Sequence, residues 1–200
     1  MQSENPRLHT GPILSVAVDG HGALAIRRDT YQRLSVQIKD RSLVDPPVMQ
    51  LSVTGVLIAP DASGLPTVLL GKRSDQTRIY QSMWELAPSG GIDPPVNLTN
   101  FGMPQILEQL QRECSEELGF QPDVHNHTLL GLVTDPIAMS TDVVIRLDLP
   151  KQHPLDGFDW EYTDVRWVSC NDVHAFTSSH HTIPPTLAIL RAVFQPDSGC

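Results

Sequence analysis

Seven glutamates occur in this chain of 200 residues, and four of them, Glu108, Glu113, Glu116 and Glu117, fall within ten consecutive positions. At 100° per residue, Glu113, Glu116 and Glu117 project into roughly one 100° sector of a helix, beside its apolar stripe rather than opposite it. A solvated helix face usually carries Lys or Arg at i+3 or i+4 to relieve carboxylate repulsion, and these three have none there. Converging carboxylates without basic partners call for another cation. Hard oxygen ligands select Mg²⁺, Mn²⁺ or Ca²⁺ and leave coordination positions open for phosphate oxygens and water.

The run Arg112-Glu113-Cys114-Ser115-Glu116-Glu117-Leu118-Gly119-Phe120 resembles the second half of the Nudix box, R-E-U-x-E-E-x-G-U with U apolar, at all nine positions. The first half departs from it: the box asks for Gly fourteen residues before the Arg and Glu eight before it, where this chain has Leu98 and Pro104. Gly90-Gly91 resembles the family's glycine pair but lies about seven residues too far upstream, so residues 92–101 read as an insertion before the helix, a length change that loops tolerate at modest closure cost. Glu108, four residues before Arg112, is expected to pair with it in place of the missing Glu. Glu161, six residues before Trp167, matches a metal-binding Glu that several Nudix hydrolases carry at that spacing.

The resemblance implies an α/β/α sandwich around a mixed sheet, with activity as a pyrophosphatase that hydrolyses a phosphoanhydride in a nucleoside diphosphate linked to another moiety. The insertion suggests nucleotide sugars among such substrates. By the same resemblance Mg²⁺ or Mn²⁺ is held by Glu113, Glu116 and Glu117, with the Gly91 carbonyl and Glu161 as further ligands. Arg112 orients Glu113, and the base is one of Glu113, Glu117 and Glu161. Lys72, Arg73 and Arg78 are candidates for phosphate contact, and Tyr80 and Trp84 for stacking on base or sugar, although an aromatic beside a glycine turn more often belongs to the core. A Nudix-fold module that binds a nucleotide derivative as a sensor without cleaving it is the competing reading.

These residues need elements to position them. Met103, Leu107, Leu110, Cys114 and Leu118 recur at helical spacing, with Pro104 suited to the first turn and Gly119 to the C-terminal cap, which predicts a helix over 104–118 with Leu107, Leu110 and Cys114 buried. Strands are expected at 51–59, 67–70, 129–134, 143–149 and 165–168, a turn at 88–91 and a closing helix at 183–194. Residues 1–50 read as a strand-rich extension, with strands at 13–18 and 34–38 around Gly20-His21-Gly22, and 51–196 as the Nudix domain.

Composition supports one globular core: 40% hydrophobic and 18% charged residues, with a net charge of −9 that repels nucleic acid in the absence of a basic run. No apolar stretch is long enough for a membrane span, and Met1 to Pro6 has no leader character. Three cysteines without CxxC spacing favour a reducing, cytoplasmic setting, and neither they nor the histidines have zinc spacing. The expected partner is a small-molecule nucleotide, with a homodimer left open.

Overall fold

The computed structural model describes residues 11–18 and 24–194. The Gly20-His21-Gly22 turn, Cys200 and the end of the expected domain at 195–196 lie outside them. The described elements are β1 (Pro12–Val18), β2 (Leu24–Thr30), α1 (Tyr31–Lys39), β3 (Gln50–Pro60), β4 (Pro66–Arg73), β5 (Trp84–Leu86), β6 (Ser89–Gly91), α2 (Met103–Leu118), β7 (His127–Asp135), β8 (Ser140–Asp148), β9 (Tyr162–Ser169), α3 (Val173–Ser179) and α4 (Pro184–Phe194). No helix among the described residues is long and apolar enough to cross a membrane.

β3 organises the sheet. One edge pairs in parallel with β8 along residues 50–58, and the other is divided among β1, β6 and β4. β3 and β4 pair only at Ile58–Pro60 with Pro66–Val68, after which β5 follows β4 and β6 follows β3, so the short β5 and β6 segments fill the space between the two diverging strands. The expected turn at 88–91 is therefore partly a strand, because Ser89, Gly90 and Gly91 find backbone partners on Thr54, Val53 and Ser52.

Side chains alternate across this sheet with the period of two that strands impose. Val53, Leu57, Leu69, Val143, Ile145 and Leu147 join Leu110, Cys114 and Leu118 of α2 in one core. Val56, Ile58, Val68, Leu70 and Val144 join Ile189 and Leu190 of α4 in a second core on the opposite face. Helices on both faces of a mixed sheet make the expected α/β/α sandwich. α2 begins where Gly102 N–H donates to the Gln105 side chain, has Pro104 in its first turn, and ends at Gly119, whose φ of 75° is the left-handed conformation that Gly adopts without strain. Leu110 and Cys114 are fully buried, whereas Leu107 is only partly so, with Ile106 turned inward in its place. Residues 92–101 are irregular apart from a short 3₁₀ turn at Leu98–Asn100.

The expected strand at 34–38 is instead part of helix α1. Leu34, Val36 and Ile38 alternate, but only Leu34 is buried, and Gln37 three residues on joins it on the inner face. Thr30 caps the helix by accepting from Arg33 N–H at 3.3 Å, and the Gln37 amide clamps both backbone groups of Val48 at 2.6 Å. Three alternating apolar residues are too few to set a strand against a capped helix with an i, i+3 face. The β1–β2 hairpin joins the main sheet through Ser15 opposite Gln50 and the Val16 N–H bond to Met49 O at 2.8 Å.

Candidate active site

The C-terminal half of α2 presents its carboxylates to a cleft of about 900 Å³. Glu113, Glu116, Glu117 and Glu161 all line it, together with Gly90 and Gly91 of β6 and with Arg73, Arg78 and Arg112. Two connections bring Glu161 across from a distant part of the chain. Asp159 N–H donates to the Glu117 backbone carbonyl at 3.0 Å, tying the loop before β9 to the end of α2, and Ser74 N–H donates to the Glu161 carbonyl at 2.7 Å. At Gly119 a Cβ would stand 3.0 Å from the Gly157 carbonyl oxygen, so the helix end admits this loop closely because it is a glycine.

Glu117 is only 3% exposed. Its Oε2 accepts from the Tyr162 hydroxyl at 2.9 Å and from Ser89 N–H at 3.4 Å, and it has no ion pair among the described residues. Burial raises its acid well above the usual carboxylate range, and the neighbouring Glu113, Glu161 and Glu85 raise it further. Glu113 is also raised, by burial first and then by Glu116 and Glu161, against the opposing bond that its Oε1 accepts from Gln109 Nε2 at 2.6 Å. Glu161 is raised by burial and by Asp159, with Arg73 opposing. A Cβ at Gly90 would overlap the Glu113 carboxylate, so the absence of a side chain there lets the acid lie against the β6 backbone. Glu116 is exposed at the cleft edge.

Among the described residues, no group of three or more His, Cys, Asp or Glu side chains stands close enough together to hold a metal ion. The donor set nevertheless has the chemistry of a hard-cation site: several carboxylates on one cleft, two of them, Glu113 and Glu117, largely withdrawn from water and made weaker acids by burial first. Binding a cation there would relieve the mutual repulsion and release protons.

The remaining expected residues separate. Arg112 pairs with Asp93 Oδ2 at 2.5 Å, in the insertion, and not with Glu108, which is exposed; the tether on Glu113 comes from Gln109 instead. Arg73 reaches the cleft, but its guanidinium is bound to Glu85 at 2.6 Å. Arg78 is exposed on the cleft and has no ion pair among the described residues. Lys72 does not line the cleft. Trp84 is 3% exposed within the α4-side core, edge-on to Phe176 at 5.0 Å, and is a packing residue. The Tyr80 hydroxyl donates to both oxygens of Asp135, at 3.0 and 2.8 Å, beside a smaller adjoining cavity.

Sequence reasoning missed Gln109, Ser89, Tyr162 and Glu85. Gln109 precedes Glu113 by one helical turn and Tyr162 adjoins Glu161, so both had a local signal; Ser89 and Glu85 become site neighbours only through the pairing of β6 with β3 and of β5 with β4. Glu85 is buried and its acid is pushed up to about 7, because burial outweighs its pairing with Arg73.

Comparison with solved structures places this geometry among similar folds. The chain is similar to DR0079 from Deinococcus radiodurans (12% identity over 92% of this chain and 100% of that one, TM-score 0.61). It is also similar to RenU, a Nudix hydrolase from M. smegmatis (17% identity, 90% of each chain, TM-score 0.53). A third similar structure is the NUDIX domain of Shewanella oneidensis NrtR complexed with ADP ribose (18% identity, 79% of this chain and 94% of that one, TM-score 0.51). No curated protein matches the sequence. The NUDIX domain model matches residues 49–187, spanning β3 to β9, the carboxylate helix and Glu161, and the chain belongs to the NUDIX domain family.

Proposed function

We propose that this protein is a metal-dependent pyrophosphohydrolase that cleaves a phosphoanhydride in a nucleoside diphosphate linked to another moiety, with nucleotide sugars the first class to test. The observation that carries the reading is the convergence of Glu113, Glu116, Glu117 and Glu161 on one cleft, with Glu117 buried and without an ion-pair partner among the described residues.

Glu113, Glu116 and Glu117 would hold Mg²⁺ or Mn²⁺, with Glu161 and the Gly91 carbonyl as further ligands. The bound cation supplies neutralisation of diphosphate oxygens and a lowered pKa for attacking water. The chain's own residues do the rest. Tyr162 and Ser89 fix the Glu117 carboxylate, and Gln109 fixes Glu113. Arg78, exposed and unpaired by any acid among the described residues, contacts phosphate. Glu113, Glu117 and Glu161 all line the cleft, and any of the three serves as the base.

The test is a phosphate-release screen of nucleotide sugars, dinucleoside polyphosphates, ADP-ribose, NADH and nucleoside triphosphates with Mg²⁺ and Mn²⁺. A second reading, a module that binds a nucleotide derivative without cleaving it, is favoured by one observation: no three acids among the described residues stand at ion-holding distance. Saturable binding of a nucleotide without turnover under either metal would select it.

A further inference from the structure

The three tryptophans of the chain occupy different settings. Trp84 is buried in the core on the α4 side of the sheet, and Trp167 packs against the core on the α2 side. Trp160 is 40% exposed and lines the carboxylate cleft. A large apolar ring left in water beside a polar cleft gains by being covered, and the cover that suits it is flat and apolar.

The chain holds Trp160 in place from both sides. Asp159 N–H donates to the Glu117 carbonyl at 3.0 Å, Glu161 N–H donates to Asp159 Oδ1 at 2.8 Å, and the Glu161 carbonyl accepts from Ser74 N–H at 2.7 Å. Both neighbours are thus tied to the end of α2 and to the residue after β4, so the backbone that carries the ring is set before a ligand arrives and little ordering cost remains. Among the described residues one other aromatic lines the cleft, Tyr31, and it is partly packed against the core that holds Leu34 and Val48. Tyr80 and Trp84 do not line this cleft.

We infer that Trp160 is the stacking platform for the substrate's nucleobase, with the phosphates over Glu113, Glu117 and Glu161. The inference rests on the reading of the cleft as a nucleotide site and adds which residue takes the base. One sugar separates a nucleotide's base from its first phosphate, and Trp160 is the residue next to Glu161, so a single ligand spans platform and carboxylates. Every base has a π-face, so the platform selects a nucleotide over a sugar phosphate and tolerates a change of base.

The experiment is calorimetric titration of the full chain in Mg²⁺ with AMP and with ribose 5-phosphate, followed in parallel by tryptophan fluorescence. Neither probe contains a phosphoanhydride, so binding is read without turnover. Wild-type protein is expected to bind AMP about tenfold or more tightly than ribose 5-phosphate, the effect of stacking one base, and AMP is expected to quench its emission. Trp160→Ala is expected to bind AMP about as weakly as wild type binds ribose 5-phosphate. Trp160→Phe keeps a ring, so it should hold AMP within about threefold of wild type while the quenching disappears, which a merely structural role for Trp160 would not produce. Equal wild-type affinities for the two probes, no binding of AMP, undiminished AMP affinity in Trp160→Ala, or quenching that persists in Trp160→Phe would overturn the platform. The wild-type comparison decides even if a variant misfolds. Quenching by AMP without release of phosphate from any compound in the screen overturns the hydrolase reading alone, and hydrolysis with the same KM in wild type and Trp160→Ala overturns the platform alone.

Discussion

Replacing Asp142 by Asn should stabilise the protein at neutral and alkaline pH and not in acid. Burial pushes this acid from its ordinary 3.8 up to about 6. At about 1.4 kcal/mol per tenfold change in acid strength, that difference corresponds to about 3 kcal/mol. The folded state binds the proton more tightly than the unfolded chain, so below about pH 4 both are protonated and the carboxyl costs nothing. Between about pH 4 and pH 6 the unfolded chain ionises first and stability falls, and above about pH 6 the full cost is in place. Asn keeps the shape and an acceptor for Thr54 and removes the charge. Thermal melts of wild type and Asp142→Asn are therefore expected to differ at pH 8 by about 6 to 12 °C in favour of the variant, at about 2 to 4 °C per kcal/mol for a chain of this size. The difference should shrink towards zero at pH 4. A variant less stable than wild type at pH 8, or a gain unchanged on acidification, would refute the assignment of the raised acid to Asp142.

Other outcomes follow from the same geometry. Leu110→Ala removes a fully buried side chain from the core under α2 and should cost about 2 to 5 kcal/mol in denaturant unfolding; a loss below about 1 kcal/mol would mean that the site collapses on the cavity. Glu161→Gln should lower metal-dependent turnover with the fold intact, and unchanged turnover with unchanged Mg²⁺ dependence would reduce Glu161 to a structural neighbour. Arg78→Ala should raise KM with little change in stability, whereas Lys72→Ala, away from the cleft, should leave kinetics unchanged; equal effects would contradict the assignment of phosphate contact to Arg78.

The legible parts of the fold were those whose signal is local and repeated. The strands of β3 and β4, separated by a turn-rich segment, and the helix bounded by Pro104 and Gly119 could be placed because apolar periodicity and capping chemistry agreed. The nine-position match at 112–120 named the carboxylates, and the chain brings all of them to one cleft. What escaped depends on tertiary pairing. α1 looked like a strand because three apolar residues alternate, and only the contacts of Leu34 and Gln37 with Val48 and its neighbours decide for a helix. Trp84 was a stacking candidate although an aromatic beside a glycine turn more often belongs to the core, and its strand turns it towards α3 and α4, into that core. Arg112 was expected to serve Glu113, yet the insertion brings Asp93 within reach and takes that charge. Glu85 and Asp142, two buried acids outside the motif, sit on strands whose register no local pattern specifies.

The most direct test of the central claim is the Mg²⁺ dependence of Glu117→Gln on whichever nucleotide derivative wild type hydrolyses in the phosphate-release screen. Gln keeps the bonds from Tyr162 and Ser89 in place and removes the charge that a cation needs. The account predicts a folded protein, at least as stable as wild type at neutral pH because burial no longer opposes an ionised acid, with turnover lost at every Mg²⁺ concentration. Wild-type turnover by Glu117→Gln at saturating Mg²⁺ would contradict it.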